Sequence, residues 1–516
     1  MTELRERTIG AMKLRNLADT TLATRPQSIE ENIMNSGEKN PETNFAHGTS
    51  AIYYKDATEL AGLIRTKQVS SREVVQAHLD RIRAVNPKLN AIVTLMDGDA
   101  LKGADAADKA VKDGAELGPL HGVPFTIKDS IDTGGVLTQQ ASKIFAGNIP
   151  EKDATVVKRF KEAGAIPLAK TNLPEFAAWW ETDNALTGRT NNPWNLDRSP
   201  AGSSGGESAA IAAGLSPIGI GSDVALSLRG PAAWTGIAAL KPTHGRVPLT
   251  GHYPPAMRHY WHIGPMARTI RDVALGYSIL QGPDGVDGFA IHAKMAQPAS
   301  PRFPGQRVRV GWVSDAAFGP VDPEITAAIA EVAALLKDRG CDVEQVGLEF
   351  FGQADWVMTY FTLWYGEMIP FLQKFAKGRE ADMYPVASAL LNTAQPALAD
   401  FVDAELKVEL LKSLFAGYFE KYDVLLCPVL PFTAKPHNYQ DVVVNGITVP
   451  NYHVMKAALP FNMTGLPGLS VPYSLSSEQL PINVQLVSRW LDEDTILRLG
   501  LLIESGNKAH NRHPIP

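Results

Sequence analysis

From Asp56 onward, stretches with a helical period alternate with short apolar runs, and this alternation limits the fold more than any other feature of the chain. "DATELAGLIRTKQVSSREVVQAHLDRIRAVNP" reads as two amphipathic helices. Asp56, with Glu59 three residues on, is placed to cap the first, and Ser70 or Ser71 to cap the second. Asn86-Pro87 is expected to end the pair. "ADAADKAVKDGAELGPLHGVPFTIKDSID" reads as a helix, a Gly/Pro turn and an apolar strand from Val123 to Ile127 that runs into Lys128. "TVVKRFKEAGAIPLAKTN" repeats that order. After about residue 285, "RVRVGWVSD" reads as a strand, and "DPEITAAIAEVAALLKDRGCDVEQV" as a capped helix, a glycine stop and a second strand. The aromatic helix "ADWVMTYFTLWYGEMIPFLQKF" follows, then strands in "YDVLLCPVLP", "TGLPGLSVPYSL" and "LPINVQLVS". The pattern predicts an α/β fold with a largely parallel sheet. No repeat or linker interrupts residues 51–516, which are read as one large domain. Residues 1–50 are polar and without a sustained period, and are read as a partly irregular N-terminal extension.

A formal net charge of −6 gives no electrostatic ground for expecting nucleic acid or an anionic membrane as partner. There is no run of 18 apolar residues, so no membrane span is expected. The first residues are basic but lack the apolar centre of a signal peptide, and a cytoplasmic location is the expectation. The two cysteines, Cys341 and Cys427, form neither a metal-ligand spacing nor a disulfide framework. Walker A, dinucleotide-binding and H-E-x-x-H motifs do not occur, and no G-x-S-x-G nucleophile elbow is read in the chain. His252, His259 and His262 are close in sequence, but no carboxylate or cysteine stands at a matching spacing. They are read as surface or loop histidines, and no metal or cofactor is expected.

What remains is a concentration of hydroxyls and glycines. "SPAGSSGGESAAIAAG", Ser199 to Gly214, sets two serines against paired glycines ahead of an Ala-rich helix. Backbone N–H groups at such a turn can hold an anion or a developing oxyanion. "GIGSDVALSLRGPAA", Gly219 to Ala233, sets Asp223 and Arg229 among small and apolar residues, with Ser227 between them. By themselves these segments leave a packing turn, a phosphate loop and a catalytic turn all open.

The stretch from Arg189 to Pro248, "RTNNPWNLDRSPAGSSGGESAAIAAGLSPIGIGSDVALSLRGPAAWTGIAALKPTHGRVP", resembles the diagnostic segment of the amidase-signature serine hydrolases. "HGVPFTIKD", "LAKTNLPEFA", "TGLPGLSVP" and "LPINVQLVS" resemble further blocks of that family in the same order, so the likeness spans about Asp56 to Ser488. The resemblance implies a single large α/β domain with a central twisted mixed sheet flanked by helices. It implies a Ser-cisSer-Lys triad: Lys128 as base, Ser203 after a cis peptide at Gly202-Ser203, and Ser227 as nucleophile. The backbone N–H groups of Val224, Ala225, Leu226 and Ser227 would form the oxyanion hole. Ser204 and an Asp223–Arg229 ion pair would support the turn. Chemistry agrees with these roles. A serine hydroxyl needs an adjacent base, a buried lysine can be neutral, and a second hydroxyl can pass a proton along.

The chain departs from the family where two glycines usually precede the nucleophile, since Ala225 and Leu226 stand there. Both keep an N–H donor but lose easy access to positive φ. Leu226 is also a candidate for reshaping the acyl pocket, with Trp179 and Trp180 of "FAAWWETDN" as further pocket candidates. Trp356, Tyr360 and Trp364, spaced i, i+4, i+8, read as core first and as an apolar pocket wall second. The expected activity is hydrolysis of the C–N bond of amides, extending to aryl amides and to carbamates (urethanes), through an acyl-enzyme. The expected partner is a small amide or carbamate, with a homodimer implied by analogy. One alternative is the A-type subunit of a tRNA-dependent amidotransferase, which shares the signature, releases ammonia from glutamine and needs partner subunits. Another is an inactive ligand-binding homologue.

Overall fold

Helix–strand alternation does build the two wings of the sheet, but not its middle. The computed structural model describes residues 51–293, 307–314, 317–509 and 512–514, so the expected extension, residues 1–50, lies outside them. The strands are β1 (Ile92–Leu95), β2 (Pro124–Lys128), β3 (Ile166–Thr171), β4 (Ile218–Asp223), β5 (Ala238–Lys241), β6 (His262–Ala267), β7 (Arg309–Trp312), β8 (Asp342–Gln345), β9 (Val424–Pro428), β10 (Val442–Val444), β11 (Ile447–Val449), β12 (Gly468–Leu475) and β13 (Pro481–Ser488). Among the described residues, eleven form one sheet in the order β1-β3-β2-β4-β6-β5-β12-β13-β9-β7-β8, and β10–β11 is a separate two-stranded ribbon.

The largely parallel sheet expected from periodicity is corrected here; the sheet is mixed, as the family resemblance implies. Parallel pairing joins β3, β2 and β4 at one side and β9, β7 and β8 at the other. Every pairing from β4 through β6, β5, β12 and β13 to β9 is antiparallel. The cause is connection length. β12 and β13 are joined by the five residues 476–480, too few for a crossover, and so must pair antiparallel.

Local rules hold elsewhere. Asp56 Oδ1 accepts the Glu59 N–H at 2.7 Å and starts the helix Ala57–Arg65. Ser70, rather than Ser71, closes a capping box with Glu73 on Ser71–Leu89, while Ser71 Oγ donates to Gly122 O at 2.7 Å. That helix does not stop at Asn86-Pro87. It runs through Pro87 to Leu89 and ends at Asn90, φ 52°. Proline is tolerated because the last turn is nearby and Asn86 Oδ1 takes the N–H groups of Ala91 and Ile92 beyond it, at 2.9 and 2.8 Å. The core lies on both faces of β2, β4 and β13, in which every residue is buried.

Candidate active site

β2 and β4 are parallel neighbours, so their carboxyl ends open on the same edge of the sheet. Clefts at that edge are the usual ligand sites of α/β sheets. β2 is apolar except for Thr126 and ends in Lys128, which has no solvent exposure. Its Nζ donates to Ser203 Oγ at 2.7 Å, to Ser222 Oγ at 3.1 Å and to Ser222 O at 3.4 Å. Burial lowers the Lys128 ammonium to about 7, against the opposing fields of Asp223 and Glu207. Among the described residues no carboxylate touches it; its neighbours are hydroxyls and a carbonyl.

Ser203 comes from the loop before the helix Gly205–Ala212, and its peptide bond to Gly202 is cis. Gly202 is required there, because a Cβ would fall 2.9 Å from the Glu181 carbonyl carbon and 3.0 Å from Trp179 O. The Trp179–Glu181 backbone therefore forms one wall of this loop. The Trp179 and Trp180 rings stack at 3.7 Å, with Trp180 buried. Ala201 holds φ at 64°, a conformation that disfavours any residue with a Cβ. Ser204 Oγ donates to Ser222 O at 3.2 Å and so ties the loop to β4.

Ser227 lies in the turn between β4 and the helix Arg229–Thr235 and is 4% exposed. The turn is braced from below. Arg229 Nε donates to Asp223 Oδ2 at 3.0 Å and Nη2 to Oδ1 at 3.2 Å, both residues without solvent access. Asp223 Oδ2 also accepts the Leu228 N–H at 3.1 Å, and Arg229 Nη2 reaches Ala225 O at 3.2 Å. Burial alone would raise the Asp223 carboxyl, but the Arg229 charge and hydrogen bonds outweigh it and hold the group below the usual carboxylate range. Among the described residues, no neighbouring acceptor takes the N–H groups of Val224, Ala225, Leu226 or Ser227.

The missing glycines are accommodated without strain, since neither Ala225 nor Leu226 has positive φ. Leu226 packs onto the following helix, and a Cβ at Gly230 would fall 2.5 Å from its Cδ1. Lys128 and Ser203 are thus brought into contact, and Ser227 is carried on the turn that ends the neighbouring strand. No hydrogen bond joins Ser203 Oγ to Ser227 Oγ among the described residues.

Four further residues complete the surroundings, and the sequence pattern alone did not single them out. Ser222 is the second hydroxyl on Lys128. Glu207 receives hydrogen bonds from Thr126 and Thr171 and, fully buried, has its carboxyl raised to about 7. Asn462 Nδ2 donates to Asp223 Oδ1 at 2.9 Å, and Gln485 Oε1 accepts Arg229 Nη1 at 2.9 Å. Their signal was available. Glu207 is the one charged residue of "GGESAAIAAG", and Asn462 and Gln485 are amides in the largely apolar "LPFNMTG" and "PINVQLVS". The reading of surface or loop histidines holds for His259, exposed in a turn, and is corrected for His262 in a strand and for the burial of His252. His252 is 6% and His262 2% exposed, and His262 is part of strand β6. Both rings are held well below the usual histidine range by burial. Trp356, Tyr360 and Trp364 are buried on the helix Trp356–Ala376, with Tyr360 and Trp364 stacked at 5.9 Å. Among the described residues there is no cluster of His, Cys, Asp or Glu able to hold a metal, and no helix is long and apolar enough to cross a membrane.

The family profile described as Amidase matches residues 73–497, a span that contains Lys128, Ser203 and Ser227. This chain belongs to the amidase family. It is 34% identical over 486 residues to the A-type subunit of the glutamyl-tRNA(Gln) amidotransferase of Moorella thermoacetica, an alignment covering 90% of this chain and 99% of that one. Among solved structures, a 6-aminohexanoate cyclic dimer hydrolase complexed with substrate superposes with a TM-score of 0.81 at 29% identity, covering 90% and 99% of the two chains. A bacterial aryl acylamidase of the amidase-signature family gives 0.80 at 26% identity, covering 89% and 97%. The amidase fold, a large mixed sheet flanked by helices, is therefore shared over most of the chain.

Proposed function

We propose that this amidase-family member is a serine hydrolase that cleaves the C–N bond of small amides, aryl amides and carbamates among them, through an acyl-enzyme on Ser227. The observation that carries the reading is the Lys128–Ser203 contact at 2.7 Å, made by a fully buried amine with no carboxylate partner. Neutral Lys128 takes the Ser203 proton while Ser203 takes that of Ser227, and Ser227 Oγ attacks the acyl carbon. The negative oxygen is held by the N–H groups of Val224 to Ser227. The proton returns by the same hydroxyl to the leaving nitrogen, the C–N bond breaks, and water then attacks the Ser227 ester. A carbamate offers the same acyl carbon with an alkoxy neighbour, so the steps need no change. Trp179, Trp180 and Leu226 are assigned to the pocket wall, and a homodimer in the cytoplasm is the assembly and place proposed.

The test is hydrolysis of an anilide, a primary aryl amide, a long-chain acyl amide, a dipeptide amide and an aryl carbamate by the wild type and by Ser227→Ala. Cleavage by the wild type alone supports the reading. Equal rates, or no cleavage of any compound, would sink it. The relatives named as A-type amidotransferase subunits favour a second reading, in which the same triad releases ammonia from glutamine inside a larger assembly. Glutaminase activity raised by charged tRNA and partner subunits, together with inertness on the amide panel, would establish that reading over the first.

A further inference from the structure

The strand register sets His262 opposite Asp223 at the end of β4. Trp261, one residue earlier, therefore stands beside the start of the Val224–Ser227 turn. On the other flank, His252 bridges to Ile131, and the Tyr253 N–H donates to Ser130 O at 2.9 Å. Ser130 and Ile131 lie two and three residues after Lys128. The His252 and Trp261 rings meet with centroids 4.7 Å apart at 53°. This ring pair thus spans from the lysine loop to the serine turn. Each ring ends in a buried nitrogen with no partner among the described residues, His252 Nε2 and Trp261 Nε1. Nearly all buried polar atoms in folded proteins are paired, so two orphans on one contacting ring pair call for something that binds there. An indole N–H can only donate, which makes its partner an acceptor. Burial keeps the His252 ring neutral, so a neutral acceptor suits the pair better than an ion.

We propose that Trp261 Nε1–H and His252 Nε2–H, the imidazole in that tautomer, donate to a second polar group of the substrate, a neutral carbonyl oxygen set apart from the one that is attacked. The two residues are then specificity determinants. This rests on the amide-hydrolase reading but selects a narrower class: amides whose acyl part carries another ketone, ester or amide carbonyl. A site built to hydrogen-bond such a group discriminates against analogues that lack it, because its own polar atoms are then left unpaired.

The test is equilibrium binding to Ser227→Ala, which does not depend on turnover. The ligands are anilides of acyl chains with a keto group at the third, fourth, fifth or sixth carbon, each compared with its methylidene isostere. The keto compound at one position is expected to bind about tenfold or more tightly than its isostere. Adding Trp261→Phe is expected to reduce that ratio to about threefold or less, with His252→Ala reading the same ratio should the phenylalanine variant not fold. A ratio near one at every position, or one that survives both substitutions, overturns the proposal. A clear ratio with no hydrolysis of any ligand by the wild type would overturn the reaction while leaving this recognition in place.

Discussion

Lys128 and Lys170 sit on neighbouring parallel strands, β2 and β3, and neither has solvent exposure. Lys170 is in register with Ile127, so alternation along the strands sends the two ammonium groups to opposite faces of the sheet. Burial lowers both, to about 7 at Lys128 and to about 8 at Lys170. Their partners differ in kind. Lys170 holds the loop that follows β2, donating to Ile131 O, to Thr133 Oγ1 at 3.1 Å and to Thr138 Oγ1 at 3.0 Å, with Asp129 at 3.9 Å as counter-charge. Lys128 has two serine hydroxyls, a carbonyl and no touching carboxylate. An amine with a counter-ion and a full set of acceptors is a fixed structural cation. An amine facing hydroxyls can lose its proton and take one back. Burial alone therefore does not distinguish a catalytic lysine from a structural one; the acceptor set does.

Methionine at each position gives the sharpest contrast. Lys128→Met is expected to lower amide kcat/KM by about ten-thousand-fold or more, as removal of a triad member does elsewhere. Its thermal midpoint should hold or rise, because an ill-solvated amine has been replaced by an apolar chain. Lys170→Met strands Asp129 and frees the loop carbonyl, at a cost of about 3–5 kcal/mol in stability. Measured kcat/KM and urea unfolding for the two variants would break the comparison if Lys128→Met unfolded early while Lys170→Met kept full stability.

The acid limb of the rate profile is the next test. In the proposed relay Lys128 must be neutral, and its folded value near 7 lies below that of free lysine because of burial. The sign follows. Below about pH 7 the protonated fraction grows, so kcat/KM falls by about tenfold per pH unit, and above it the profile levels. An activity that requires pH 10, where free lysine titrates, would mean that Lys128 is not desolvated in the working enzyme.

Much of this was legible in the residues and some was not, for identifiable reasons. Lys128, Ser203 and Ser227 are proposed from the order of family blocks, and the Asp223–Arg229 pair was legible from two charges in an apolar turn. The mixed sheet came from the family resemblance and not from the pattern, because periodicity reports helix and strand but not the direction in which β5, β6, β12 and β13 return. The difference between Lys128 and Lys170 was invisible as well. "TIKDS" and "LAKTN" look alike, and only the packed loop at Asp129–Thr138 supplies one of them with a counter-ion and hydroxyls. The departure at Ala225-Leu226 was visible, but its consequence depended on φ angles that the letters do not contain.

Glu207 links the two lysines and gives the smallest and most discriminating effect. Thr126 and Thr171, which share a strand face with Lys128, donate to its carboxyl, and both Lys128 and Lys170 lie within its field. Burial raises Glu207 to about 7, the range in which Lys128 itself titrates, so the wild-type pair releases its protons in two coupled steps. Where Glu207 is ionised it favours the charged form of Lys128 and so opposes catalysis. Glu207→Gln removes that charge, while the amide can still accept from one threonine and donate to the other. The acid limb should then move to lower pH and become a single titration, with a gain in kcat/KM of about threefold near neutral pH and little change where Glu207 is already protonated. Lys170, which keeps Asp129, should hold its loop, so the unfolding midpoint should move little. A limb unchanged in position and shape would show that Glu207 does not act on Lys128. A large loss of stability without a shift would make it a prop for β2 and β3 alone.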